Sequence, residues 1–281
     1  MSKTEELTNV EGEVPVENSV QPGLASSATL LAIGSAASRV LGLAREVMIT
    51  ALFGATGEVS AFRIASQTPM LLFDFLIGGV LSAAFVPVLS QYIHQRSRAE
   101  FGKLIGILAT AMSILLLFLL VFLEIIAPQL AWLLAGGLSE FDPTLLDLTT
   151  HLLRLSLPAV WVMCMAGLVT AALYALERFS FPALATGSYN LGILCVAPLL
   201  VERFGIVSLI IGLLVGTVLQ LGVLYYDFWR AGVRIQLEVN WQHPALRQIV
   251  RLYVPVAAGI VVSLFQIGLD RRLATSTQPE S

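Results

Sequence analysis

The sequence predicts an all-α protein, a polytopic bundle of transmembrane helices. Of its 281 residues, 57% are hydrophobic and only 12% are charged, whereas a soluble domain carries roughly 25% charged residues. A membrane-spanning helix needs about 20 mostly apolar residues, and about seven such segments follow one another along the chain. The net charge of -3 carries little information, because charge in a membrane protein is interpreted by side of the membrane.

Each apolar run predicts one span, and the polar runs between them predict the connections. Residues 1–26 are acidic and polar, so we expect a disordered tail, and they lack the order of a signal peptide. Residues 27–231 form a six-span unit, 232–247 a cytoplasmic or interfacial connection, and 248–281 a seventh span with a truncated, polar end. The predicted spans are 27–53, 60–93, 102–127, 145–176, 180–201, 205–229 and 248–274.

The basic residues of the connections predict the orientation. Arg96, Arg98 and Lys103 follow span 2, and three more arginines follow span 6, whereas residues 135–147 carry no Lys or Arg. By the positive-inside rule the N-terminus is cytoplasmic. Arg203 is the one basic residue on the opposite side.

The connection between spans 6 and 7 admits two interpretations. Trp229 and Trp241 suit the headgroup level of a membrane, which favours a short extended piece followed by an interfacial helix from about Pro244. An ordinary connecting loop fits the same residues equally well. Prolines inside spans, such as Pro69 and Pro158, favour a bundle around a cavity, because neighbouring groups must satisfy the carbonyls that proline frees.

Charged residues inside the first two spans mark the candidate site. Arg39, Arg45 and Glu46 lie in span 1, and Arg63 and Asp74 lie in span 2. A charge at mid-bilayer costs about 2.5–3.5 kcal/mol on insertion scales, so these side chains should face a wet interior. Arg39 and Glu46 are seven residues apart and therefore share a helical face.

Two explanations of these charges remain open. Asp74 is expected at roughly the depth of Arg39, so a buried ion pair between them would serve helix packing alone. The alternative is a cationic cavity for an anionic ligand. Three arginines on one extended polar region exceed what a single helix contact needs, which favours the cavity.

Motifs for chemical catalysis are missing from the sequence. It has no GxxxxGK[ST], GxSxG or HExxH pattern, so we expect a protein that is not an enzyme. Cys164 and Cys195 are the only cysteines, and their spacing predicts no metal or redox site. We expect no cofactor, no metal ion and no nucleic-acid partner.

Two segments resemble a known family. The segment "SRVLGLAREVMITALFGA" and the later "PMLLFDFLIGGVLSAAFVPVLSQY" are similar to the opening of the MurJ (MviN) family, lipid II flippases of the multidrug/oligosaccharidyl-lipid/polysaccharide exporter superfamily. The resemblance covers essentially residues 27–275 and is weaker after about residue 100. It implies fourteen helices in two lobes around a cation-lined cavity, in the bacterial cytoplasmic membrane.

The resemblance also implies a function and a set of binding residues. The family moves the undecaprenyl-diphosphate-linked peptidoglycan precursor to the outer leaflet by alternating access. Arg39 and Arg45 match the two first-span arginines of the family cavity, and Glu46 takes the place of the usual acidic neighbour. We therefore expect a lipid-linked anion to bind Arg39, Arg45, Glu46, Arg63 and Asp74.

The chain departs from the family pattern at several positions. Ser60 stands where an aspartate is usual, Gln67 where a basic residue is common, and Phe73 with Asp74 where the family has an arginine pair. A less cationic cavity favours, as an alternative, another lipid-linked glycan as substrate. Seven spans are half of fourteen, so either a second chain supplies the remaining helices or the chain is a truncated fragment, in the limit a non-transporting scaffold.

Overall fold

The computed structural model describes residues 22–78, 84–135 and 143–251. All regular elements within these ranges are helical, which confirms the predicted all-α class. A π-helical turn, Asp74–Gly78, follows α2, and a further helix runs from 244 to the last described residue, 251. The other helices are α1 Pro22–Phe53, α2 Gly57–Phe73, α3 Val86–Gln95, α4 Arg98–Ile125, α5 Ala127–Ala135, α6 Pro143–Ser156, α7 Pro158–Ala175, α8 Ser180–Ala185, α9 Ser188–Phe204 and α10 Val207–Arg230.

Four helical segments of the described ranges are long and apolar enough to cross a membrane. They match predicted spans 3 to 6 in order and are Arg98–Ile125, Thr144–Ala175, Ser180–Phe204 and Val207–Arg230. Helix α1 begins at Pro22, earlier than the predicted start at residue 27. Most of the predicted seventh span lies outside the described residues.

The described parts of predicted span 2 contain both α-helix and π-helix. Helix α2 ends at Phe73, the π-helical turn follows, and α3 begins only at Val86. Pro69 lies inside α2 and cannot donate a main-chain hydrogen bond. The carbonyl of Ala65 would normally receive that bond, and the buried hydroxyl of Ser156 donates to it instead at 2.9 Å.

The first turn of α4 is fixed by a reciprocal cap. The Ser97 hydroxyl accepts a hydrogen bond from the Glu100 N–H at 3.3 Å, and the Glu100 carboxylate accepts one from the Ser97 N–H at 3.3 Å. This capping box satisfies two of the N–H groups that a helix start leaves unpaired. The cap therefore fixes the start of α4, which is the second longest of the four apolar segments.

The connection after α10 is extended and lies against two glycines of α4. A Cβ atom on Gly106 would lie 1.8 Å from the carbonyl oxygen of Gln236, and one on Gly102 would lie 2.2 Å from that of Arg234. Lys103 forms an ion pair with Glu238 at 2.9 Å on the same side. Of the two interpretations of this connection, the geometry supports an extended piece followed by a helix, which begins at residue 244.

Helices α6 and α7 form the central column of the bundle. In the Thr144–Ala175 segment 72% of the most apolar window is buried, against 33% in Arg98–Ile125. The exposed face of α4 carries large apolar side chains such as Leu115 and Phe118, which suits contact with lipid tails. Helix α6 packs into one apolar cluster with α2 and α9, and α7 packs into another with α3 and α4.

An ion pair joins the α7–α8 turn to the end of α10. Asp227 is 1% exposed, and Arg178 donates to it from Nε at 3.2 Å and also from Nη2. The hydrogen bond to Asp227 raises the pKa of Arg178 above its ordinary value. Because a buried carboxylate needs a partner, this pair fixes α10 relative to the turn before α8.

Candidate functional site

A cavity of about 650 Å³ opens between α1, α2, α7, α9 and α10. Its charged lining consists of Arg45 and Glu46 from α1 and Arg63 from α2. Its uncharged polar lining includes Ser38, Ser66, Gln67, Thr186, Asn190 and Gln220. An interior of this kind, polar within an apolar bundle, accepts a charged or hydrated ligand.

Glu46 links the two arginines of the cavity. Arg45 Nη2 donates to one oxygen of Glu46 at 2.6 Å, and Arg63 Nη2 donates to the other at 3.0 Å. The connection between α1 and α2 is short, and Arg63 in the second turn of α2 reaches Glu46 near the end of α1. One carboxylate between two guanidinium groups leaves the cluster with a net positive charge.

Helix α9 holds Arg45 from the other side. The Asn190 side-chain oxygen accepts from Arg45 Nη1 at 2.9 Å, and the Asn190 amide donates to the main-chain oxygen of Ser38 at 3.1 Å. The Arg45 guanidinium also lies 5.6 Å from the centre of the Tyr189 ring, a cation–π distance. Arg45 is therefore held by groups from both α1 and α9.

Arg45 keeps donors that the described residues do not use. Two of its five N–H groups are engaged, by Asn190 and Glu46. Its Nε is buried and has no hydrogen-bond partner among the described residues, which costs roughly 1–3 kcal/mol. An arginine donor beside a net positive charge binds carboxylate or phosphate oxygens well.

Arg39 and Asp74 lie outside this cavity. Both side chains are exposed, and the expected ion pair between them does not form, since the described ion pairs involve other residues. Asp74 opens the π-helical turn, which has more residues per turn than an α-helix.

Sequence reasoning did not assign Tyr189, Asn190 or Gln220 to the site, and all three line the cavity. Polar side chains in the middle of a span commonly bond across helices, and Asn190 does so to Arg45. Asn190 lies 145 positions after Arg45, and Gln220 lies still farther along the chain. No local pattern connects segments so far apart.

The described residues offer no site for a metal ion. They contain no group of three or more His, Cys, Asp or Glu side chains placed to hold one. The site is defined instead by arginine, glutamate and amide groups around an open volume.

Comparisons with known proteins agree on one family. A family model described as "Lipid II flippase MurJ" matches residues 49–281. The lipid II flippase MurJ of Thermosipho africanus is 30% identical over 194 residues, covering 69% of this chain and 39% of that protein. The probable lipid II flippase MurJ of Vibrio cholerae is 27% identical over 280 residues, covering 94% of this chain and 52% of that protein.

Two solved structures share the fold. The structure titled "Lipid II flippase MurJ, inward closed conformation" matches with a TM-score of 0.67 and 24% identity, over 84% of this chain and 48% of that one. A MATE structure in complex with Br-NRF matches with a TM-score of 0.58 and 16% identity, over 86% of this chain and 55% of that one. At these identities the likeness shows the fold alone.

The chain spans about half the length of the curated relatives it matches. The apolar helices and the relatives together indicate a protein of the bacterial inner membrane. The family model covers all but the first part of the chain, from residue 49 to residue 281. The chain therefore belongs to the lipid II flippase MurJ family.

Proposed function

We propose that this chain forms the first lobe of a flippase for lipid II, the undecaprenyl-diphosphate-linked peptidoglycan precursor. The substrate moves from the inner to the outer leaflet by alternating access, with the N-terminus of the chain in the cytoplasm. The remaining helices of the family fold, on the same or a second chain, close the other side of the cavity. The protein acts as a transporter and not as an enzyme.

The net positive cluster of Arg45, Glu46 and Arg63 in the cavity lining is the observation that carries this proposal. Arg45 uses only two of its five N–H groups on Asn190 and Glu46, so its guanidinium keeps further donors for a diphosphate oxygen. Arg63 adds a second positive charge, and Glu46 keeps both arginines apart and ordered. Diphosphate is the anionic group of the proposed substrate, so the site and the ligand match in charge.

Arg39 and Asp74 also belong to the proposed site, but they contact the substrate in a different conformation. They are exposed and outside the cavity of this conformation. We assign their contacts with the substrate to another conformation of the transport cycle, in which α1 and α2 face the remaining helices. Alternating access moves one bundle against another around a fixed site, which brings new faces to the substrate.

A second substrate class is favoured by one observation. Gln67 lines the cavity at a position where a basic residue is common in the family, and Phe73 with Asp74 replaces an arginine pair. A cavity with fewer cations suits a lipid-linked glycan that carries less negative charge. Transport of such a glycan is the alternative that the same experiment separates.

The test is replacement of a cell's own lipid II flippase. The chain is fused to the second half of the Thermosipho africanus relative and expressed in bacteria depleted of their flippase. We expect outward movement of lipid II to be sustained, and Arg45→Ala to abolish it while the protein stays in the membrane. Movement of another lipid-linked glycan without lipid II would favour the alternative substrate.

Two control variants make the result specific. Arg45→Lys keeps the charge but lacks the Nε donor and the planar fork, so it should restore only a small part of the transport. Arg203→Ala removes an exposed arginine next to Phe204, outside the cavity, and should leave transport intact. Full transport with Arg45→Ala would refute a binding role for this arginine.

A further inference from the structure

The cavity has a charged end and a neutral polar end. Arg45, Glu46 and Arg63 form the charged end. Ser38 lies eight residues before Glu46 on α1, which corresponds to roughly 12 Å along the helix axis. Gly42 lies between the two ends, and a Cβ atom there would meet only the Asn190 amide at 3.6 Å. Because glycine has no side chain, α1 does not separate the two ends of the cavity at this position.

Two glutamines reach the neutral end from opposite helices. Gln67 lies one turn beyond Arg63 on α2, and both residues line the cavity. Gln220 lies one turn beyond Gly216 on α10. Gly216 packs closely against the main chain of Tyr189. Because α9 and α10 are antiparallel, that turn of α10 lies towards Thr186, and both Gln220 and Thr186 line the cavity.

The other polar groups at this end are already engaged. Asn190 uses its oxygen for Arg45 and its amide for Ser38. The hydroxyls of Ser38 and Thr186 donate to main-chain oxygens, at 3.1 Å to Thr186 and at 2.8 Å to Ala183. Within the described part of the chain, the side-chain amides of Gln67 and Gln220 make no hydrogen bond, so each offers one acceptor and two donors.

The chemistry of these amides selects a neutral ligand rich in hydroxyl groups. Among the described residues, the charged side chains in the cavity lining are Arg45, Glu46 and Arg63, which form the other end. Paired amides accept from and donate to neighbouring hydroxyls at once, and Met70 and Met163 supply an apolar wall for the C–H face of a ring. A sugar ring carries both kinds of surface.

We infer that Gln67 and Gln220 are specificity-determining residues that recognise the sugar attached to the diphosphate of the substrate. The inference rests on the proposed function, because it takes the diphosphate to lie at Arg45. The sugar then occupies the space between α2 and α10, directly beyond the charged end. The cavity thereby distinguishes a loaded lipid carrier from the same carrier without its sugar.

The test compares three polyprenyl lipids on the purified full chain in lipid nanodiscs. The first carries the diphosphate alone, the second carries diphosphate and sugars, and the third carries diphosphate, sugars and peptide. We expect the wild type to prefer the second lipid over the first. Gln67→Met and Gln220→Met keep the side-chain volume but lose the amide, so each should reduce that preference roughly three- to tenfold, the contribution of one or two hydrogen bonds.

Controls separate this inference from the proposed function. Gln129→Met on α5, outside the cavity, should keep the wild-type preference. Equal loss for the first two lipids in the glutamine variants, or a preference that appears only with the peptide, would overturn the sugar assignment. If the wild type binds no diphosphate lipid at all, the proposed function itself fails.

Discussion

At the residue scale, Arg45 shows how a partly buried cation is stabilised inside an apolar bundle. Glu46 neutralises its charge, Asn190 accepts from its Nη1, and the Tyr189 ring covers one face. An isolated charge at this depth would cost several kcal/mol. These partners therefore stabilise the arginine, and two of its five N–H groups are enough to bind Asn190 and Glu46.

A second residue-scale feature is strain at the end of α7. Glu177 has φ +58°, a left-handed conformation that costs a residue with a Cβ roughly 1 kcal/mol or more. The N–H of the next residue, Arg178, donates to the Leu173 oxygen at 2.9 Å, the closing bond of a Schellman-type helix end. Glycine is the residue that adopts this conformation without strain.

We expect Glu177→Gly to raise the free energy of unfolding by about 1 kcal/mol. The side chain of Glu177 is exposed, so little is lost by removing it. Denaturant unfolding in detergent, followed by circular dichroism, measures the change. Glu177→Ala removes the same charge but keeps the Cβ atom, and a gain as large as that of glycine would contradict strain as the cause.

At the element scale, proline changes the main-chain hydrogen bonding inside the predicted spans. Pro69 lies inside α2 and Pro158 opens α7. Neither residue has the N–H that would donate a hydrogen bond to the carbonyl four residues earlier. Ser156, between them in space, donates to Ala65 at 2.9 Å and to Leu153 at 2.8 Å. One buried hydroxyl thus satisfies a freed carbonyl and ties α2 to α6.

This interpretation predicts that Pro69 and Ser156 are coupled. Ser156→Ala leaves the Ala65 carbonyl buried and unpaired, which should cost about 1–3 kcal/mol of unfolding free energy. In a Pro69→Ala background the new N–H can bond to Ala65, so the same Ser156→Ala change should cost about 1 kcal/mol less. A double-mutant cycle by denaturant unfolding measures the difference, and additive costs would refute the coupling.

The start of the helix over 244–251 depends on a histidine. The Ala245 N–H donates to His243 Nδ1 at 3.3 Å, and the Tyr92 ring lies 6.1 Å from that of His243. Burial lowers the pKa of His243 below its ordinary 6.5, with Lys103 acting in the same direction and Glu238 opposing it. A protonated imidazole has no acceptor, so protonation removes this cap.

We therefore expect this helix start to loosen in acid. The folded state binds fewer protons than the unfolded state between the lowered pKa and 6.5, so the stabilisation is complete above about pH 6.5 and declines as the pH falls below it. Hydrogen exchange of peptides that cover residues 243–251 measures the effect. Each measured rate is divided by the intrinsic chemical exchange rate at the same pH, so that only the change in protection is compared. His243→Asn provides an acceptor that does not titrate, and an unchanged pH dependence in this variant would exclude His243 as its cause.

At the scale of the whole molecule, the contact between α9 and α10 links the bundle to the site. A Cβ atom on Gly192 would lie 2.3 Å from the Cα of Gly216, and one on Gly216 would lie 2.7 Å from the Tyr189 oxygen. Glycine lets these two backbones approach this closely. Because Tyr189 and Asn190 hold Arg45, the same contact sets the position of the arginine.

Gly216→Val should separate the two helices and disturb the cavity together with the fold. Overpacking of this kind costs roughly 1–3 kcal/mol, and we expect weaker binding of a polyprenyl diphosphate lipid as well. Thermal unfolding and the lipid titration measure the two effects on one preparation. Gly222 lies on the same helix with no atom within 4 Å of an added Cβ, so Gly222→Val serves as the matched control and should change neither.

The positions of most spans follow from composition, whereas their interruptions do not. Predicted spans 3 and 6 correspond closely to α4 and α10, since long apolar runs have few alternatives to a helix in a membrane. Within predicted span 2, α2 is followed by a π-helical turn at Asp74–Gly78, a change of helix type that hydropathy does not register. Helix α5, Ala127–Ala135, was not predicted separately, as it continues the apolar run of span 3.

The amino-acid sequence by itself determined the membrane class, the all-α architecture and the unusual charges of the first span, because each is a property of local composition. The tertiary structure alone decided which charges meet. It paired Glu46 with Arg63 rather than Arg39 with Asp74 and placed Asn190 on Arg45. It also brought Gln67 and Gln220 to one cavity, with no hydrogen bond from either amide to another described residue. Contacts between helices depend on close glycine packing and on the π-helical turn, and neither leaves a periodic signal in one segment of sequence.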